Sequence, residues 1–207
     1  MRPRWKQLIE LPQNDETEDE VNLAIIERVR SWFSGSRFGS LLLIGFWWSS
    51  TITGPAQEKI DLNPTEFKLA FLAKIPAYVT WPGAEGQLVV GILGKDPFNG
   101  LLDRLLQQKK VDNREVVVKV FSDPALVTKC HILFIPADQL DMWEELSQNL
   151  DKRGVLTIGE RREFLSKGGV FNLSVEDRKL EINLKNAKKA GLEINSKLMK
   201  IAKIVSR

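Results

Sequence analysis

The hydrophobic positions of this chain change rhythm three times, and each change marks a different kind of segment. From Phe38 to Trp48 eleven residues, FGSLLLIGFWW, carry no charge. Arg28, Arg30 and Arg37 precede them, and the small and polar stretch Ser49–Gly54 follows. A membrane-spanning helix needs about 20 apolar residues, whereas the apolar part of a signal peptide needs about 7–15. Residues 37–56 therefore predict a signal peptide, with Gly54 and Ala56 as small residues ahead of a cut before Gln57; a short uncleaved inner-membrane anchor is the alternative. Residues 1–36 do not suit a simple leader, because Asp15, Glu16, Glu18, Asp19 and Glu20 form an acidic run. Either translation starts downstream of Met1 or a short tail stays inside the cell. The expected destination of the remainder, residues 57–207, is the periplasm.

Beyond residue 60 the rhythm becomes that of a folded domain. Asn63-Pro64-Thr65-Glu66 combines a capping side chain, a proline at the first helical position and an acid that can reach back to the cap. A helix is predicted from there, with Phe67, Ala70, Phe71, Ile75 and Tyr78 on one apolar stripe that Lys74 interrupts, Pro76 kinking its last turn and Trp81-Pro82 stopping it. Four short, nearly continuous apolar runs follow at 88–93, 116–121, 132–135 and 155–158. Such runs predict strands buried on both faces. Helical stretches separate them at 98–107, with Leu101, Leu102, Leu105 and Leu106 on one side, and at 140–150. Strand and helix in alternation predict an α/β fold: one doubly wound, mostly parallel sheet with helices on both faces and right-handed crossovers.

After Phe164 the pattern turns to strict alternation. In VFNLSVEDRKLEINL the stretch 176–179 separates two alternating segments, which predicts a C-terminal antiparallel hairpin. Asn183 is expected to cap a helix over 184–190 that Gly191 ends in a left-handed conformation, and Asn195 a last helix over 196–205.

Composition narrows the chemistry. The 207 residues hold 30 Lys and Arg against 27 Asp and Glu, interleaved rather than clustered, so charge alone points to no nucleic-acid partner. One cysteine and one histidine cannot make an intrachain disulfide or a Cys/His zinc cluster. Those two residues, Cys130 and His131, are neighbours in a strand, so their side chains diverge and make a poor nucleophile–base pair. Gly91-Ile92-Leu93-Gly94-Lys95-Asp96 ends the first strand but has neither the GxxxxGK spacing of a phosphate loop nor the GxGxxG of a dinucleotide site. Glu144-Glu145 and Glu176-Asp177 fall on a helix surface and a hairpin loop. No GxSxG elbow occurs. Neither a metal site nor a cofactor is expected, and an enzyme is the weaker reading.

Five segments taken together, FKLAFLAKIPAYVTWP, LGKDPFNGLLDRLL, CHILFIP, LTIGE and FLSKGGVFNLSVEDRKLEINLKNAKKAGLEINSKLMKIA, resemble the YfiR-like family of exported bacterial proteins over about residues 65–205. The resemblance implies a periplasmic α/β regulatory domain. In the best-known members such a domain holds a membrane-anchored diguanylate cyclase inactive by binding its periplasmic part. It brings no catalytic residues. The implied partner is an inner-membrane signalling protein, a diguanylate cyclase or a sensor kinase, with a homodimer and a small ligand also open. The alternative function is a ligand-binding sensor module for a sensor kinase or transport receptor. Recurrent family positions are Trp81, Pro82, Gly94, Asp96, Pro97, Phe98, Gly159, Gly168, Gly169, Asn172, Glu181, Asn183, Gly191 and Leu198. The chain departs from the family at Leu173, where an aromatic is usual, and at Arg178, a loop position often held by glycine. A ligand is expected in the crevice at the carboxyl ends of the strands, lined by Gly94, Asp96, Phe98, Gly159 and Arg161.

Overall fold

The computed structural model describes residues 26–27, 63–82, 85–107, 109–127, 130–150 and 154–205. The acidic leader and the apolar segment 37–56 lie outside the described residues, Ile26 and Glu27 excepted. Everything below concerns the unit Asp61–Arg207.

Helix α1 (Pro64–Lys74) starts as the local sequence requires. Asn63 Oδ1 accepts from the Glu66 amide at 2.9 Å, and Glu66 Oε2 accepts from the Asn63 amide at 2.8 Å, so each satisfies a donor that a helix start would leave orphaned. Pro76 has no amide to continue the α-helical ladder, and the chain tightens into a 3-10 turn, Ile75–Tyr78, in place of the expected kink.

Ten strands follow among the described residues: β1 (Val79–Thr80), β2 (Leu88–Leu93), β3 (Lys110–Val111), β4 (Arg114–Phe121), β5 (Ile132–Ile135), β6 (Leu156–Gly159), β7 (Phe171–Ser174), β8 (Lys179–Ile182), β9 (Glu193–Ile194) and β10 (Lys203–Ile204). Eight of them form one sheet in the order β10-β8-β7-β6-β5-β2-β4-β3, and β1 pairs antiparallel with β9 in a small second sheet. The inner five, β4-β2-β5-β6-β7, are parallel throughout. Counted in chain order they run 2-1-3-4-5, the doubly wound arrangement, whose direction of winding reverses between β2 and β5. The hairpin β7–β8 is antiparallel as its alternation predicts. The expected fold class, α/β with a mostly parallel sheet and a C-terminal hairpin, is what the chain forms.

The connecting helices are α2 (Leu101–Leu106), α3 (Leu140–Asn149), α4 (Glu163–Ser166), α5 (Leu184–Lys189) and α6 (Ser196–Ile201). They cover both faces. On one, Trp143 and Leu146 of α3 and Phe164 of α4 pack with Leu93, Phe121, Leu133 and Ile135, the rings of Trp143 and Phe164 lying 4.9 Å apart. On the other, Phe134 turns toward Phe98 at the entrance to α2, with ring centroids 5.6 Å apart. Burying large apolar side chains on both faces is the main stabilising term of such a sheet.

Beyond the turn at Pro76, three details differ from the sequence reading. The strand at 116–121 is not buried on both faces: β4 lies next to the sheet's end, and Val120 is 51% exposed. The chain makes an unforeseen edge strand, β3, through a two-residue turn in which Asp112 and Asn113 both adopt positive φ, 49° and 62°. Such a turn matches the twist of a hairpin. Finally, the last helix stops at Ile201, where a helix to residue 205 was expected. Ala202 is extended, and Val205 donates to the Ile182 carbonyl at 2.8 Å, which lays β10 parallel to β8. The β-branched Ile204 and Val205 suit a strand better than a helix.

Candidate functional site

The carboxyl ends of β2, β5 and β6 converge where the winding reverses, so the loops that leave them are the first place to look for a site. Gly94 leaves β2 at φ +79°, its amide donating to the Phe121 carbonyl at 2.7 Å, and the Gln139 side chain fills the space that a Cβ would need. Asp96 Oδ1 accepts from the Phe98 amide at 2.9 Å and Oδ2 from the Gly100 amide at 2.7 Å. Both oxygens are engaged in shaping the loop ahead of α2. Phe98 is buried against Phe134. Gly159 ends β6 with the ring of Phe164 pressed on its Cα, so no side chain fits there.

Arg161 meets a second group of residues. Its Nε donates to the Ala137 carbonyl at 2.8 Å, while Glu160 Oε2 accepts from the Ala137 amide at 2.9 Å and Oε1 lies 2.6 Å from Lys68 Nζ. The turn after β5 is therefore held on both sides by the turn after β6, and α1 is tied to both. The structure brings Gly159 and Arg161 together around Ala137, and Gly94, Asp96 and Phe98 together in the β2–α2 loop. The gap between Ala137, Leu140, Gly159 and Phe164 is too narrow for a water molecule. Sequence reasoning passed over Lys68; nothing local in the sequence sets this lysine apart from Lys74 on the same helix.

A more open arrangement lies toward the β10 end of the sheet. Asn172 on β7, Glu181 on β8 and Lys203 on β10 are register partners across three adjacent strands. Glu181 is 3% exposed; its Oε1 lies 3.1 Å from Lys203 Nζ and 3.4 Å from Arg162 Nη2, and Oε2 accepts from Asn172 Nδ2 at 3.2 Å. Burial alone would push this carboxyl upward, but hydrogen bonds from Lys203 and Asn172 and the charges of Arg162 and Lys203 hold it below the ordinary carboxylate range. A cavity of about 250 Å³ opens beside it, with Arg162, Ser166, Asn183 and Val205 in its walls. Two cations and one carboxylate around such a space could orient a small polar or zwitterionic group. Nothing local in the sequence marks this cluster, because its members come from four separate elements.

The Cys130–His131 pair sits at the opposite, amino end of β5. Cys130 turns into the core under α3, where burial pushes its thiol up to about 12. His131 faces Trp81: its Nδ1 accepts from the Val89 amide at 3.0 Å, its carbonyl accepts from Trp81 Nε1 at 3.1 Å, and the two rings meet edge to face at 6.2 Å. The guanidinium of Arg114 covers Trp81 at 5.9 Å. A protonated, buried thiol pointing away from the imidazole is no nucleophile.

With the fold in view, the comparison with known families is decisive: residues 65–203 match the family described as YfiR/HmsC-like. The chain belongs to that family. A crystal structure of a conserved domain protein from Vibrio cholerae O1 biovar El Tor strain N16961 superposes on 71% of this chain at 13% identity with a TM-score of 0.47, and the match spans 61% of the Vibrio chain. YfiR/HmsC-like proteins are periplasmic and regulatory, and membership supports a periplasmic regulatory role of that kind here. Among the described residues, no helix is long and apolar enough to cross a membrane. The recurrent family positions have clear physical work in this chain. Asn183 Oδ1 caps α5 by accepting from the Asn186 amide at 3.0 Å. Gly191, at φ +69°, closes α5 with the paired bonds Gly191 to Lys188 and Leu192 to Ala187. Gly169 lies beneath the Phe164 ring, on the side opposite Gly159 in sequence but against the same side chain. Arg178, the departure from glycine, keeps the left-handed conformation at φ +48°.

Proposed function

We propose that this chain is an exported regulatory domain that represses or tunes an inner-membrane signalling protein by direct contact, the partner being of the diguanylate cyclase or sensor kinase kind. The family match over residues 65–203 carries the reading. Two further observations support it. The uncharged segment from Phe38 to Trp48, behind three arginines, suits export. The polar side chains at the carboxyl ends of the strands are engaged in holding loops, which leaves binding rather than bond-making as the domain's business. The mechanism is a population shift: contact favours one state of the partner, and the shift cannot exceed the difference in affinity for its two states.

Deleting the gene in its native host tests this. Cellular cyclic di-GMP is expected to rise on deletion and to fall back when the chain is supplied with its leader, but not when residues 37–56 are removed. Unchanged cyclic di-GMP together with unchanged output of every membrane kinase would overturn the reading. Sequencing the N-terminus of the exported product shows whether it begins at Gln57 or keeps the segment as an anchor.

The cavity beside Glu181 favours a second reading, a domain that senses a small ligand and passes the signal on through the same partner. Thermal-shift measurements with nucleotides and aromatic amino acids should then show stabilisation that grows with ligand concentration. A flat response to both classes would remove it.

A further inference from the structure

β10 ends the order of the main sheet, and its outer side pairs with no strand among the described residues. Toward β8 the amide of Val205 donates to Ile182. Successive amides alternate in direction along a strand, so the amide and carbonyl of Ile204 point outward. An open edge of this kind is a template for another strand, and folded proteins commonly blunt it with charge. Here Lys203, the edge lysine, folds back onto Glu181 and leaves the edge uncovered.

The side chains around that edge are unusual as well. Four large hydrophobic side chains are exposed among the described residues, and two of them, Ile201 at 79% and Ile204 at 47%, stand three positions apart at this edge. Lys197 and Lys200 are exposed beside them, and no acidic residue occurs from Ser196 to Val205. Basic and apolar groups in combination could face either an anionic lipid surface or an acidic peptide. A layer of anionic headgroups offers acceptors with no fixed spacing, whereas an added strand matches both the outward amide and the outward carbonyl of Ile204.

We infer that β10 is the docking edge for the membrane partner: an extended, acidic segment of that partner adds to the sheet outside β10, its apolar residues meeting Ile201 and Ile204 and its acidic residues meeting Lys197 and Lys200. This rests on the proposal that the chain works by protein contact and assigns the surface that does so.

The test uses the full chain in its native host, with a photo-crosslinking residue placed at position 201 and, as a comparison, at position 120. Adducts are digested and sequenced. Position 201 is expected to capture an acidic segment of a membrane protein, and yield should fall about tenfold or more with Ile204→Pro and with the pair Lys197→Glu and Lys200→Glu. Proline removes only the outward amide, because the inward bond belongs to Val205, and the charge pair leaves the backbone untouched should the proline variant fold poorly. Capture of the membrane protein at 120 but not at 201 would overturn the inference while leaving the protein-contact reading intact. So would capture at 201 that neither variant reduces, or adducts at 201 only with a second copy or another segment of this chain. Capture of no membrane protein at either position would overturn the protein-contact reading itself.

Discussion

Lys203 and Glu181 are register partners on adjacent parallel strands, and their side chains meet at 3.1 Å although 21 residues separate them. The contact fastens the last strand of the sheet to the hairpin strand before it, and the electrostatics of the buried carboxylate follow from it.

Glu181 should make the fold more stable at neutral than at acid pH. Its carboxyl titrates below the ordinary value near 4.5 in the folded chain, so the unfolded chain takes up the proton first as pH falls. The stabilisation is complete above about 4.5 and declines as pH drops through the lower folded value. Melting curves of the wild type and Glu181→Gln should therefore differ at pH 7 and draw together as the pH falls below 4.5. In Lys203→Met the leading hydrogen bond that lowers the carboxyl is gone, and a carbon-detected titration should show Glu181 moving upward.

Phe164 is fully buried, packs on Trp143, and lies over the backbone of both Gly159 and Gly169. Phe164→Ala should cost about 3–5 kcal/mol in urea unfolding. Gly159→Ala should also destabilise, because the new methyl meets a ring that has nowhere to go.

Arg178 holds a left-handed backbone that costs a residue with a Cβ roughly 1–2 kcal/mol. Arg178→Gly is expected to be more stable than Arg178→Ala, which loses the same side-chain contact, by about 0.5–1 kcal/mol, the remainder being offset by the greater freedom of glycine in the unfolded chain. A lower urea midpoint for the glycine variant than for the alanine variant would count against this account of the family departure.

Cys130 should be inert while the domain is folded. With burial raising its thiol to about 12, iodoacetamide at pH 8 is expected to leave the native chain unmodified and to alkylate it fully in denaturant, as read by intact mass.

Much of this fold was legible because its signals are local. The capping box at Asn63 and Glu66, the glycine stop at Gly191 and the continuous runs of β2, β5 and β6 each depend on a few adjacent residues. β10 was not legible: Ile204 and Val205 favour a strand, but they follow Asn195 in a run that reads as one capped helix, and the free edge of β8 settles where the helix stops. Glu181, Asn172 and Lys203 are brought together by strand register and Arg162 reaches them from the start of α4, so spacing in sequence gives no sign of the cluster. Asp96 shows the converse. A carboxylate in a glycine-flanked loop after a buried strand looks like a ligand residue, yet its two oxygens hold the backbone of its own turn.

The pairing of Val79 with Ile194 joins a strand from the start of the domain to one near its end. The seam cannot close until almost the whole polypeptide is available. Losing either end of the domain would therefore leave it open.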